Sequence, residues 1–141
     1  MPAQILTGAR ILAAWLVASG LALIVLAVGR ELYMAFMVVT LQVSHGSVQL
    51  INIVYYTIGG ALWLGFFIFI DDHFSKGAAK SRLLKRALRV VGLELSILGL
   101  LQLGLLGYHL IQPSLVTLSL TAGEGLLAAG MLYFVYKKPN L

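Results

Sequence analysis

Four long apolar segments constrain the fold of this chain more than any other feature of its sequence. They cover about residues 9–28, 48–70, 88–111 and 114–136, and each has roughly the 17–25 residues that a helix needs to cross a bilayer. Charged residues make up only 11% of the 141-residue chain, whereas a soluble domain carries about 25%. The sequence therefore predicts an all-α integral membrane protein, a bundle of four transmembrane helices.

No linker, low-complexity tract or change of composition divides the chain, so we expect a single transmembrane domain over residues 1–141. Between the first two spans, residues 31–43 contain an apolar run of about ten residues, which as a helix covers only ~15 Å of a ~30 Å core. We predict a short interfacial or re-entrant helix there rather than a fifth span. The first span exceeds the roughly 7–15 apolar residues of a signal peptide, so we expect the mature protein to keep it.

The basic residues indicate the orientation in the membrane. Six of the ten lie within residues 71–89, and cytoplasmic loops of membrane proteins are enriched in Lys and Arg. With this loop in the cytoplasm, both termini are cytoplasmic together with Arg10, Lys137 and Lys138, and only Arg30 lies on the other side. We predict this topology in a prokaryotic cytoplasmic (inner) membrane.

Basic and apolar residues are interleaved along Lys76–Arg89, a pattern typical of a helix that lies on a membrane surface. Each cation near an anionic leaflet contributes about 1 kcal/mol to binding. We therefore expect this segment to contact anionic lipid headgroups. Nucleic acid is not expected as a partner, because the membrane topology already accounts for the positive charge.

Glu124 lies in the middle of the last apolar segment, where a carboxyl costs about 2.5–3.5 kcal/mol on insertion scales. Counted inward from Arg89 and Lys137, Gln102 and Glu124 are each thirteen residues deep, which corresponds to ~20 Å. The Gln112-Pro113 turn makes the last two helices antiparallel neighbours. We therefore predict a hydrogen bond between the Gln102 amide and the Glu124 carboxyl.

The third span has two different faces when it is wound at ~100° per residue. Glu94, Gln102 and His109 fall within an arc of ~80°, with Glu94 only ~7 Å deep when counted from Arg89. Small residues, which let helices approach closely, collect on the opposite face: Gly92, Gly99 and Gly107. We expect contacts on both faces, which suggests other membrane subunits or a homo-oligomer as partners. On the second span, Asn52, Tyr56 and Trp63 share one arc that we expect to face inward.

These polar residues predict a pathway for protons or ions formed by Glu124, Glu94, Gln102 and His109. Loss of hydration favours the neutral form of a carboxyl, and a carboxyl poised in this way can bind and release a proton. The alternative is that Glu124 stays protonated and only bonds Gln102 or Thr121 as a structural contact.

His45 and His109 both lie toward the outer side of the membrane, and they offer the one conceivable cofactor arrangement, a bis-histidine haem or a pigment ligand. Ordinary hydrogen bonding by such residues is more common, so we expect no cofactor. We also expect no metal, because the chain has no cysteine and Asp71-Asp72-His73 has no complementary ligand close in sequence. No nucleophile motif accompanies the glutamates, so the chain is not predicted to have a catalytic site of its own.

Two short motifs resemble those of a known family. Val91-Gly92-Leu93-Glu94-Leu95, and Ser119-Leu120-Thr121-Ala122-Gly123-Glu124 before a basic pair, are similar to segments of the K subunit of proton-pumping NADH:quinone oxidoreductase, respiratory complex I. The resemblance covers about residues 58–138. It implies that Glu94 and Glu124 are intramembrane carboxyls of a proton pathway in a larger redox-driven complex. The chain departs from that family in its additional first helix, its longer basic loop and the smaller separation of the two glutamates.

From these observations we predict a multi-pass membrane subunit that handles protons or ions within a larger or oligomeric complex. The alternatives are a stand-alone four-helix transporter, and a scaffold or assembly factor in which the glutamates are structural. A water-accessible cavity around Glu124 favours transport, whereas a capped and dry Glu124 favours the scaffold.

Overall fold

The structure, a computed structural model, describes residues 2–79, 82–112 and 114–137. Four helices account for nearly all of this part of the chain: α1 Pro2–Ala35, α2 His45–Ala79, α3 Leu83–Gly107 and α4 Leu115–Lys137. All four are long and apolar enough to cross a membrane. The predicted fold class, an all-α chain with four such helices, is therefore confirmed.

The first helix is longer than the sequence analysis predicts. α1 continues through Ala35 into a π-helical turn, Phe36–Thr40, in which the Leu41 amide donates to the Phe36 carbonyl over 3.2 Å. Residues 31–40 therefore continue the first helix instead of forming a separate short one. Neither glycine nor proline occurs between residues 31 and 43, so nothing in this segment interrupts the helix. The chain turns only after Thr40, where Gln42 adopts a φ of 51°.

The described residues of the basic segment Lys76–Arg89 belong mostly to the end of one long helix and the start of the next. Its first residues belong to the end of α2, and α3 begins at Leu83. Leu83 and Ala87 pack against a buried cluster of the bundle, whereas Leu84 is 62% exposed. The expected contact of this segment with anionic lipid headgroups stays a prediction.

The third helix ends four residues earlier than predicted. α3 stops at Gly107, Tyr108 caps it with a bond from its amide to the Gly104 carbonyl, and His109 has a φ of 55°. Pro113, part of the predicted turn, lies outside the described residues. α4 then begins at Leu115, where the Thr117 amide donates to Ser114 Oγ over 3.1 Å, a side-chain N-cap.

α3 occupies the centre of the bundle. α1, α2 and α4 all pack against it. α4 makes nearly all of its contacts with α3. α3 thus contacts each of the other three helices of the chain, and the expected contact with partner subunits stays a prediction. Three glycines were predicted to share the face opposite Glu94. Gly92 lies against Leu132 and Met131 of α4, whereas Gly99 and Gly107 have open space beside them.

A fully apolar cluster lies near the end of the bundle where α2 finishes and α3 starts. Ala18, Ile70 and Phe74 are completely buried and Val90 is nearly so. Farther along, Gly29 lies against Leu101 and Leu32 lies against Gly104. Each residue of α1 is therefore level with the α3 residue numbered 72 higher, and the two helices are parallel.

Candidate functional site

The predicted contact between Gln102 and Glu124 is present. Gln102 Nε2 donates to Glu124 Oε1 over 3.3 Å across the interface of α3 and α4. The prediction assumed that the two residues lie at the same level on antiparallel helices. Gly92 of α3 lies against Leu132 of α4 nearer the start of α3, and this second contact fits the same antiparallel register. The sequence therefore contains enough information to place this polar contact.

Thr121 completes the contact by binding the other end of the Gln102 amide. Its hydroxyl donates to Gln102 Oε1 over 2.8 Å and also lies 3.0 Å from the Thr117 carbonyl of its own helix. Thr121 thus bonds Gln102 and not Glu124. The second carboxyl oxygen of Glu124 is buried without a hydrogen-bond partner in the described part of the chain. Glu124 is capped on one side only.

Glu94 has a different environment from the one expected for it. Its side chain is only 6% exposed, and neither carboxyl oxygen has a hydrogen-bond partner among the described residues. Taking a carboxylate out of water without a partner costs several kcal/mol, so the neutral acid is the favoured form in such a place.

Glu94 lies farther from the start of its helix than the sequence analysis assumed. Arg89 is not the end of the third helix: α3 begins at Leu83, so Glu94 is its twelfth residue, ~17 Å from the start. The Arg89 guanidinium lies 5.8 Å from the centre of the Tyr136 ring on α4 and is not a partner of Glu94. Glu94 is therefore a mid-helix residue, and its depth in a membrane stays a prediction.

Ser19 is a buried polar residue near Glu94 that the sequence analysis did not identify. Through the offset between α1 and α3, Glu94 is level with Ala22, and Ser19 is one helical turn below, a distance of ~4.5 Å along the axis. Ser19 is 7% exposed and its hydroxyl has no hydrogen-bond partner within the described ranges. Its carbonyl oxygen accepts from Trp63 Nε1 over 3.4 Å. Small, common residues such as serine give no sequence signal that separates such a position from an ordinary helix surface.

The two ends of the bundle differ in polarity on either side of Glu94. Toward the start of α3 lies the apolar cluster that contains Ile70 and Phe74. Toward the other end, the Tyr55 hydroxyl donates to the Leu26 carbonyl over 2.7 Å, and Arg30 Nε donates to Asn52 Oδ1 over 3.1 Å. Glu94 therefore lies between an apolar block and a polar cluster.

The structure does not bring the four predicted pathway residues into one chain of contacts. Gln102 and Glu124 meet between α3 and α4, whereas Glu94 is eight residues, ~12 Å, away along α3. His109 is exposed beyond the end of the helix, so the helical arc that joined it to Glu94 does not exist. The side chain of His45 lies outside the described residues.

No protein-family model, curated protein or solved structure matches this chain. The resemblance to the K subunit therefore stays an expectation. Within the described ranges, no group of three or more His, Asp or Glu side chains is arranged to hold a metal ion. The functional argument depends on the geometry of the carboxyls.

Proposed function

We propose that this chain is a multi-pass membrane protein in which Glu94 binds and releases protons, as part of a larger or oligomeric membrane complex. One observation carries the proposal: the Glu94 carboxyl is buried in the middle of α3 with neither oxygen hydrogen-bonded to a described residue. A glutamate with a purely structural role is expected to have a partner, as Glu124 has in Gln102.

The energetic argument compares Glu94 with an apolar residue at the same place. A buried polar group without a partner costs about 1–3 kcal/mol, and more when it is charged. A leucine there would avoid this cost. Ionisable residues that remain inside membrane helices under such a cost generally mark ion or proton pathways.

The polarity of the bundle suggests the side from which a proton reaches Glu94. The apolar cluster around Ile70 and Phe74 separates Glu94 from the basic end of the bundle. The Tyr55 hydroxyl and the Arg30–Asn52 pair lie toward the opposite end, where a file of waters would find hydrogen-bond partners. In the proposed topology, with both termini in the cytoplasm, this is the outer side of an inner membrane.

The proposal includes contact with other membrane subunits, and the exposed surface of α4 is the place for it. α4 packs mainly on α3, and large apolar side chains of α4 such as Leu126 and Tyr133 are more than half exposed. This surface suits lipid or another membrane helix. A subunit of a redox-driven proton pump, as the K-subunit resemblance implies, fits this arrangement.

Glu124 favours a second role, that of a structural contact. Gln102 caps one of its oxygens, and Thr121 holds the same amide from the other end. In a scaffold or assembly factor, Glu124 would hold α4 on α3 through this hydrogen bond, and the protein would transport nothing. This role explains Glu124 but not Glu94.

The experiment that tests the proposal compares two isosteric variants, Glu94→Gln and Glu124→Gln, in vesicles that contain the protein together with any subunits that co-purify with it. A pH-sensitive dye inside the vesicles reports proton uptake driven by an imposed membrane potential. We expect Glu94→Gln to lose the uptake and Glu124→Gln to keep most of it. Unchanged uptake in Glu94→Gln would contradict the proposal.

A further inference from the structure

A cavity with basic walls lies at the corner between α2 and α3. It has a volume of about 240 Å³ and is lined by one histidine and four cationic side chains: His73, Arg82, Lys85, Arg86 and Arg89. The corner is formed by the last two turns of α2 and the first two turns of α3. Arg89 is the lining residue nearest to Glu94 along α3, five residues or ~7.5 Å before it, and the cavity forms no part of the proposed proton site.

Internal contacts fix the shape of this cavity. Arg86 folds back over α2, and its Nη1 donates to the His73 carbonyl over 2.6 Å. This path exists only because residue 77 is glycine: a Cβ there would lie 2.7 Å from Arg86 Cδ. The Arg82 amide donates to the carbonyl of the same glycine over 2.8 Å. These contacts hold the Arg86 side chain and the Arg82 backbone in place at the corner.

The charge of the cavity calls for an anion. Its lining contains no acidic side chain, and the nearby Asp72 is already paired with Lys76 over 2.6 Å. The bond to His73 uses one of the five N–H groups of the Arg86 guanidinium. Guanidinium groups match the geometry of phosphate oxygens and bind them through paired hydrogen bonds.

The neighbouring side chains indicate that the anion belongs to a lipid. Arg89 lies over the Tyr136 ring, and Lys137 Nζ donates to the Tyr133 hydroxyl while it lies 5.0 Å from the centre of that ring. Tyrosines interleaved with basic residues at the end of an apolar helix are typical of the membrane–water interface. The cavity is therefore at the depth of lipid headgroups.

We propose that the corner between α2 and α3 is a specific binding site for the phosphate group of an anionic membrane lipid. The general attraction of a basic segment to an anionic surface does not require a cavity or a fixed arginine. A specific site requires both, and it binds one lipid per chain in a saturable way.

The test measures binding of a short-chain phosphatidic acid, which is soluble as a monomer, to the purified full-length protein in detergent by native mass spectrometry. The double variant Arg82→Gln/Arg89→Gln is compared with Arg10→Gln/Lys137→Gln, which removes the same charge elsewhere. Because each lost charge-assisted hydrogen bond weakens binding severalfold, we expect the first variant to raise the Kd at least about tenfold. The second variant should stay close to the parent. Equal losses in both variants would overturn the specific site.

A second pair of variants tests the built shape without any change in charge. Gly77→Ala displaces the Arg86 side chain, whereas Gly65→Ala on the same helix has open space around the added Cβ. We expect Gly77→Ala alone to weaken binding of the short-chain lipid. Binding in Gly77→Ala equal to that in Gly65→Ala would overturn the role of the fixed arginine. Competition by inorganic phosphate at the concentration of the lipid would overturn the lipid assignment in favour of a free anion, and no competition supports it.

Discussion

Gln102 Nε2 lies 3.3 Å from Glu124 Oε1 and joins α3 to α4 inside the apolar part of both helices. Lipid tails are as apolar as leucine, so burial of apolar surface does not drive these helices together in a membrane. Close packing and polar contacts replace it. In this interface Gly92 provides the close approach and Gln102 provides the polar contact.

Replacing Glu124 with leucine should loosen α4 from α3. The change removes a hydrogen bond between helices that is worth about 0.6–2 kcal/mol in membranes. Glu124→Gln keeps an acceptor for Gln102 and should cost less. Unfolding of the protein in mixed micelles measures both free energies. Ser119→Leu is the control, because its exposed hydroxyl bonds only the Leu115 carbonyl of its own helix; a control as unstable as Glu124→Leu would contradict this account.

The glycines of α3 should differ sharply in their tolerance of a large side chain. A Cβ at Gly92 would already lie 3.2 Å from Leu132, whereas no side chain is within 4 Å of the corresponding point at Gly99. Overpacking of this kind costs about 1–3 kcal/mol. The same unfolding assay should therefore find Gly92→Leu strongly destabilised and Gly99→Leu close to the parent. Equal effects would mean that the interface lies elsewhere on α3.

Features of the site that depend on local sequence could be predicted, whereas features that depend on how the helices pack could not. Four helices follow from composition and length alone. The pairing of Gln102 with Glu124 follows from their equal distance to the basic residues Arg89 and Lys137 on two antiparallel helices, which is local information. The burial of Glu94 does not, because it depends on where α1 and α2 cover α3.

Two other misses have the same cause. Tyr56 was expected to face inward, but it is 55% exposed, and the neighbouring Tyr55 makes the inward contact with Leu26 instead. A helical wheel drawn from polar residues alone does not distinguish the two, because lipid and protein are both apolar surroundings. His109 was placed on the helical face by extending α3 to residue 111, and the left-handed turn at its own position ends that extension.

The apolar cluster beside Glu94 should be sensitive to the loss of one ring. Phe74 is completely buried, whereas Phe69 is 56% exposed on the same helix. Truncation of a buried Phe to Ala leaves a cavity, and the side chains around the cavity lose van der Waals contacts whether or not water is present. Phe74→Ala should therefore unfold at a much lower denaturant fraction than Phe69→Ala. If the cluster also seals the basic end of the bundle, vesicles with Phe74→Ala should leak protons, and equal stability of the two variants would contradict this packing.

The proposed topology predicts labelling from opposite sides of the membrane. The chain has no cysteine, and Ser44 and Ser75 are exposed at opposite ends of α2. In intact cells, a membrane-impermeant maleimide should label Ser44→Cys and leave Ser75→Cys unlabelled until the cells are opened. The reverse pattern would invert the topology, and labelling of both in intact cells would contradict a membrane crossing by α2.

The central claim is that Glu94 carries an exchangeable proton inside the bundle. The most direct measurement is the infrared C=O band of protonated carboxyl groups in membrane-embedded protein at neutral pH, recorded in H₂O and after transfer to D₂O. A buried carboxyl without a partner favours the neutral acid, so the parent should show a band that is absent from Glu94→Gln and still present in Glu124→Gln. The band should shift in D₂O, because a proton pathway must exchange with water. A parent and a Glu94→Gln variant with the same spectrum, or a Glu94 band that never shifts in D₂O, would contradict the account.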